Sequence, residues 1–326
     1  MTQPVYHLER LTKVFRGRIR ANDGISLEVH RGEIFGVFGP NGAGKTTMIK
    51  QMAGLVRPTS GRIELLGHDV AAKPSLVPLF AAYSGQRLLA LTAHTAFEVL
   101  WLAGVFRGLS LLASRRCAKK LLERFELGHI AEKVMLHLSE GQRRLVALLA
   151  TFMGQRGVLI LDEPTNDLDP AKRRAFWDYL WELNHDRGST VVLVTHNVNE
   201  AEQLVGRVAI IDRGKLKAIG TPGQLKRQVA DTVRIELIPK RQSDGEIARI
   251  KGARRTKDGR WVIVVHRDEV HAVLQSTLPL IENNHLDDFR ILTLTLEDVY
   301  VAITGKEWED KREASESAVA RGPVSG

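Results

Sequence analysis

The sequence predicts an α/β domain built on a parallel sheet, interrupted by a helical insertion and followed by a small α+β domain. Three observations carry this expectation. Short, continuously apolar runs such as Val158–Leu161 and Val208–Ile211 alternate with stretches of helical periodicity, as in strands covered by helices on both faces. The run Glu33–Phe38 leads straight into a glycine-rich turn, Gly39-Pro-Asn-Gly-Ala-Gly-Lys-Thr46. Beyond residue 231 strand signals resume around a hairpin turn at Asp258-Gly259.

In order along the chain, residues 5–10, 25–30 and 33–38 read as strands and about 44–52 as a helix. The turn Arg57–Gly61 and a strand at Arg62–Leu66 follow. Over 94–154 apolar positions recur at helical spacing, through Phe97, Leu100, Trp101 and Val105, then Leu121, Leu122, Phe125 and Leu127. This marks a helical subdomain over about 88–154. Strand 158–161, helix 171–186, strand Thr190–Val194, helix 197–205 and strand 208–211 complete a first domain, 1–230. A second, 231–304, reads as strand 232–238, helix 243–250, strands 251–256 and Trp261–Val265, helix 268–277, strand 289–294 and helix 296–303. That order is a split βαβ arrangement. Residues 305–326 are polar and charge-mixed, and read as a disordered tail.

Composition narrows the class. The 326 residues suit two domains, and 44% hydrophobic with 26% charged residues excludes a collagen, a coiled-coil rod and a wholly disordered chain. A single cysteine, Cys117, excludes an internal disulfide framework and a cysteine-based zinc site. The most apolar stretch, 88–106, is broken by His94 and Glu98 and flanked by Arg87 and Arg107, so no membrane span is expected. With no export signal either, the expectation is a cytosolic chain. The net charge of +9 and pI near 9.7 fit phosphorylated ligands, an anionic surface, nucleic acid, or simply a solvated basic surface. The cations are dispersed and no aromatic-interleaved basic tract gathers them, so no nucleic-acid partner is expected.

The turn Gly39–Thr46 fits G-x-x-x-x-G-K-[ST] and lies between a strand and a helix. Its glycines let backbone amides curl around a phosphate chain, and the following helix points its positive end there. Gly39, Pro40, Asn41, Gly42, Ala43, Gly44, Lys45, Thr46 and Thr47 are therefore the nucleotide cradle, with Lys45 facing the β- and γ-phosphates and Thr46 on Mg²⁺. Val158-Leu-Ile-Leu-Asp-Glu163 ends a buried strand in two carboxylates. Asp162 suits the magnesium shell and Glu163 a general base for the attacking water. The alternative is a pair of strand-capping acids, but a buried strand ending in Asp-Glu needs a partner for its charge.

Leu138-Ser-Glu-Gly-Gln142, some twenty residues before the Asp-Glu pair, adds the distinguishing mark. With it the sequence resembles the ATP-binding-cassette (ABC) ATPases, whose signature motif this segment looks like. The resemblance implies a P-loop NTPase fold with a helical subdomain insertion, ATP and Mg²⁺ as ligands, and a homodimer. In such a dimer Ser139, Glu140, Gly141 and Gln142 serve the nucleotide held by the opposite subunit. Taken alone, the motif also reads as an ordinary Ser-capped helix. Phe15 stands where an aromatic stacks on adenine, or else is a core residue. Gln86 resembles the glutamine that touches magnesium and answers to the membrane subunit, Asn166-Asp-Leu-Asp169 the loop crossing the dimer interface, and His196 the switch histidine on the γ-phosphate. Apart from this order, a lone histidine after a strand is usually structural.

Two positions depart from the family pattern. Glu140 replaces the commonest glycine and Asp167 stands where Gly or Ala is usual. Both add negative charge near a triphosphate, which predicts weaker ATP affinity or slower closure without removing a catalytic group.

The resemblance spans about 5–228 and resumes at Thr295–Gly305, which looks like the end of the ATPase subunits of bacterial ABC-2-type exporters. It implies a peripheral ATPase on the cytoplasmic face of the inner membrane, serving a separate polytopic permease that docks near 88–106. The second domain would brace the dimer or modulate activity. The alternative is a soluble ABC protein acting on ribosomes or nucleic acid. Such proteins usually carry two cassettes or a long coiled coil, and neither is seen here.

Overall fold

The computed structural model describes residues 4–85, 91–195, 198–229, 232–240, 244–250, 252–256, 259–283, 285–292 and 294–305. They form two compact units, the first ending at Ile219 and the second starting at Gly220.

The first unit holds two sheets. The apolar runs read from the sequence become Ile34–Phe38, Val158–Asp162 and Thr190–Val194, buried along their whole length. They lie side by side and parallel, flanked by Arg207–Asp212 on one side and Ala81–Ser84 on the other. Lys215–Gly220 completes this six-stranded sheet next to Arg207–Asp212. Apart from Thr190 and the terminal Asp162 these strands are apolar throughout, and they bury both faces as the parallel pairing requires. The first two strands, Tyr6–Val14 and Arg20–Val29, go elsewhere. They pair antiparallel, and with Ser60–Leu65 and His68–Asp69 they make a separate four-stranded sheet. The helix Lys45–Met52 is sandwiched into the core these sheets share through Met48, Ile49 and Met52.

The insertion consists of helices Ala96–Phe106, Leu111–Arg124 and Glu140–Phe152. The first and third open with capping boxes, Thr95 with Glu98 and Ser139 with Gln142, each satisfying two orphan amides. Phe152 packs on Phe176 and Tyr179 of the helix Pro170–Arg187, and Phe125 meets Tyr179 edge-on.

The second unit has a four-stranded antiparallel sheet. Its spatial order is Ala253–Arg255, Trp261–His266, Thr232–Pro239, Leu286–Leu292. Ile235, Leu237, Ile263 and Val265 point to one face and pack with Val273 and Leu280 of the helix Val270–Glu282. The chain order and pairing are those of a split βαβ unit. The unit begins earlier than residue 231, because the helix Pro222–Arg227 belongs to it. That helix buries Leu225 and packs on Leu296–Thr304, a contact invisible to a local sequence reading. Arg234 joins this terminal helix to the sheet by donating to Asp298 at 2.9 Å and to Glu236 at 2.7 Å. The sequence-read tail, apart from Gly305, lies outside the described residues.

Candidate functional site

The phosphate loop takes the shape its glycines permit. Gly39 has φ of +154° and Gly44 φ of +101°, and a Cβ at either would come within about 2 Å of the Ile211 or Ala21 carbonyl oxygen. Only glycine fits such approaches. The loop is held from outside: Asn22, fully buried in the second strand, donates from Nδ2 to the Gly44 carbonyl at 3.1 Å. The Gly214 amide donates to the Ala43 carbonyl at 2.9 Å. Asn22 and Gly214 are supports that the sequence reading missed, since nothing local ties either to the loop.

Lys45 opens the helix and is buried. Its ammonium donates to the Gly39 carbonyl at 2.6 Å and the Pro40 carbonyl at 3.0 Å, so its charge is held inside the loop. Asn41 and Gly42 are exposed at the loop tip, Ala43 is buried, and Thr46 and Thr47 are half-buried in the first helical turn.

Opposite the loop, Thr46 donates from its hydroxyl to Asp162 Oδ1 at 3.3 Å. Asp162 is fully buried, and its Oδ2 has no hydrogen-bond partner among the described residues. Burial pushes its carboxyl up to about 6, which the Thr46 hydrogen bond opposes and the neighbouring Glu163 charge reinforces. An orphaned carboxylate oxygen beside a hydroxyl is a hard, all-oxygen donor pair, the set that suits Mg²⁺ with the rest of its shell from phosphate and water. Among the described residues no group of three His, Cys, Asp or Glu could hold a metal by itself. The oxygens of Thr46 and Asp162 fit two positions of a Mg²⁺ shell.

Glu163 follows in a left-handed conformation, φ +50°, unusual for a non-glycine residue. Its amide donates to the Val194 carbonyl at 2.8 Å, which turns the chain sharply at the strand end. Its carbonyl accepts from Arg144 at 2.8 Å. Arg144, buried on the helix Glu140–Phe152, also donates to the carbonyls of Asp162 and Gly85, each at 3.3 Å. The sequence reading counted Arg144 only as one of many dispersed cations.

The signature residues form the start of that helix. Ser139 Oγ accepts from the Gln142 amide at 3.2 Å, and Gln142 Oε1 accepts from the Ser139 amide at 3.1 Å. Ser139 and Glu140 are exposed, and a Cβ on Gly141 would come within 2.8 Å of the Asp167 carbonyl oxygen. Gly141 thus lies against the backbone of the Asn166-Asp-Leu-Asp169 segment of the same chain. Asp169 caps the helix Pro170–Arg187 by accepting from the Lys172 amide at 2.9 Å. Phe15 is not a core residue: 42% exposed, it sits in a turn closed by its amide on the Ile19 carbonyl, with the Lys13 ammonium 5.2 Å from its ring. Gln86 and His196 lie outside the described residues.

The comparisons with known proteins agree with this geometry. The ABC transporter family profile matches residues 22–166. A daunorubicin/doxorubicin resistance ATP-binding protein of Streptomyces peucetius is 34% identical over 95% of this chain and 96% of its own length. A doxorubicin resistance ATP-binding protein of Mycobacterium tuberculosis is 37% identical over 70% of this chain and 69% of its own. Among solved structures, an ATP-binding subunit of an ABC transporter is 29% identical with a TM-score of 0.65, over 69% of this chain and 93% of that one. A dimeric bacterial ABC transporter cassette is 26% identical with a TM-score of 0.61, over 66% and 98%.

Proposed function

Because the chain belongs to the ABC transporter ATPase family, in which ATP hydrolysis is coupled to transport, we propose that it powers an ABC-2-type exporter through a separate polytopic permease. The observation that carries this is Asp162 at the end of its buried strand, its orphaned oxygen beside Thr46 and the phosphate loop. Gly39–Thr47 bind the triphosphate, Thr46 and Asp162 hold Mg²⁺, and Phe15 receives the adenine on its exposed ring. The metal supplies charge neutralisation to the phosphates. Lys45 offers its charge from within the loop, and Glu163 accepts the proton of the attacking water. Gln86 and His196 complete the site as the family resemblance implies.

Ser139 and Glu140, exposed at the start of their helix, reach the nucleotide of a second copy, so two chains close over two ATP. Support for the dimer comes from the similar cassette solved as one. The permease docks on the helical subdomain, where Tyr83, Gly85, Leu91, Val99, Phe106 and Arg107 line a cavity of about 230 Å³. Among the described residues no helix is long and apolar enough to cross a membrane, which fits a peripheral subunit on the cytoplasmic face. The second unit, from Gly220 onward, acts as an accessory module on the dimer. The relatives' names, daunorubicin and doxorubicin resistance, make these drugs the first candidates for export.

The test is Glu163→Gln with Mg-ATP in size-exclusion chromatography. An ATP-bound dimer that wild type does not accumulate is expected, by linkage of binding to closure. A variant that hydrolyses like wild type would sink the assignment. Affinity capture of the full chain from membranes is expected to bring a polytopic membrane protein, and capture of ribosomes or nucleic acid instead would reject the exporter role.

A further inference from the structure

Arg144 stands in an unusual position. The helix Glu140–Phe152 begins at Ser139, on the surface, and one turn later its Arg144 side chain is buried against three backbone carbonyls from two other segments. Those are Gly85, at the end of the strand Ala81–Ser84, then Asp162 and Glu163 at the end of the strand Val158–Asp162. A guanidinium presents several donors in a rigid fork, so a single side chain fixes the distances among all three carbonyls. Hydrogen bonds from a charged donor are worth about twice a neutral one, and more in a low-dielectric interior. The most direct bond, 2.8 Å, falls on Glu163, whose φ of +50° already marks a backbone held away from its relaxed state.

The two ends of this link belong to different nucleotides. On the dimeric reading above, Ser139 touches the ATP of the partner, whereas Glu163 acts on the ATP of its own phosphate loop. A displacement of the helix start therefore moves Arg144, and with it the backbone that aims Glu163. We propose that Arg144 is a positioning residue that couples the two nucleotide sites, relaying engagement of the partner's ATP at Ser139 to the orientation of Glu163. It touches no substrate atom. The coupling runs through packed, hydrogen-bonded backbone with a named junction.

The inference rests on the proposed function only in requiring the paired sites, and its test separates the two. ATPase rate against ATP concentration is measured for the full-length wild type, Arg144→Lys and Arg144→Gln, with monomer affinity for a fluorescent ATP analogue and the melting temperature alongside. Wild type is expected to hydrolyse cooperatively, with a Hill coefficient above one. Lysine keeps the charge but cannot span three carbonyls, so Arg144→Lys is expected to lower kcat by about 10–100-fold. Its Hill coefficient is expected near one, with monomer affinity unchanged, and Arg144→Gln is expected to show the same pattern more strongly. A merely structural arginine would lower the melting temperature and the rate while leaving the Hill coefficient of wild type in place, which overturns the proposal. Retained wild-type kcat and cooperativity in Arg144→Lys overturns it too, as does loss of folding or of nucleotide binding in both variants, or a wild type that hydrolyses without cooperativity. A wild type that hydrolyses no ATP instead fails the functional assignment itself.

Discussion

The Thr46 hydroxyl donates to Asp162 Oδ1 at 3.3 Å across 116 residues of chain, while Asp162 Oδ2 stays buried without a hydrogen-bond partner among the described residues. A buried, half-satisfied carboxylate is costly in the nucleotide-free protein. Its position makes sense as a binding site kept ready, and it gives a pH signature.

Because burial favours the protonated form, Asp162 contributes stability to the nucleotide-free fold that is full below about pH 4 and lost as pH rises through about 6. Asp162→Asn is expected to flatten that part of the stability curve. Metal binding needs the carboxylate, so the gain in ATP affinity on adding Mg²⁺ is expected to shrink below about pH 6 in wild type. In Asp162→Asn the gain is small at every pH. Titration of ATP with and without Mg²⁺ across this range checks both, and an unaltered magnesium gain in the variant would remove Asp162 from the metal site.

Glu163→Gln is expected to lower turnover by about 10²–10⁴-fold, the usual worth of a general base, with ATP still bound. Lys45→Ala weakens nucleotide binding itself, since it removes the buried charge of the phosphate loop. Equilibrium binding and steady-state ATPase assays separate the two effects.

Ser139→Arg is expected to cripple hydrolysis with monomer ATP affinity nearly unchanged. Mixed with Lys45→Ala chains, it forms heterodimers in which both lesions fall in one composite site and the other is intact. Partial recovery of ATPase activity on mixing is the expected result. Its absence, with heterodimers demonstrated, means that the shared-site arrangement fails or that both sites must fire together.

Gly44→Ala places a methyl group 2.0 Å from the Ala21 carbonyl oxygen at φ +101°, so clash and strain add. A loss of about 2–4 kcal/mol is expected, with nucleotide affinity falling in parallel. Gly42→Ala is the control: φ is +81° but nothing lies within 4 Å, leaving conformational strain of about 1–2 kcal/mol. Denaturant melts of both variants check the difference.

A chain ending at Ile219 is expected to remain soluble and bind ATP, since every described residue of the nucleotide site precedes that point. If the second unit braces the dimer, ATPase activity in the truncated chain depends more steeply on protein concentration. Unchanged concentration dependence would leave the module without that role.

Much of this was legible in the sequence because the determinants are local. Gly39–Thr46 and its strand-to-helix setting announce a phosphate loop through backbone sterics that only glycine relieves. Strands with an unbroken apolar run, such as residues 191–194 within Thr190–Val194, declare a sheet covered on both faces. Ser139 with Gln142 forms its capping box within four residues. Tertiary structure alone decided the rest, because those relations close over long stretches of chain. It sent Tyr6–Val14 and Arg20–Val29 to a separate antiparallel sheet and set Asn22 under Gly44. It drew the helix Pro222–Arg227 into the second unit through a packing partner some seventy residues away. And it buried Arg144, one basic residue among 47, against the backbone of Glu163, because a guanidinium's worth depends on the carbonyls the fold brings to it.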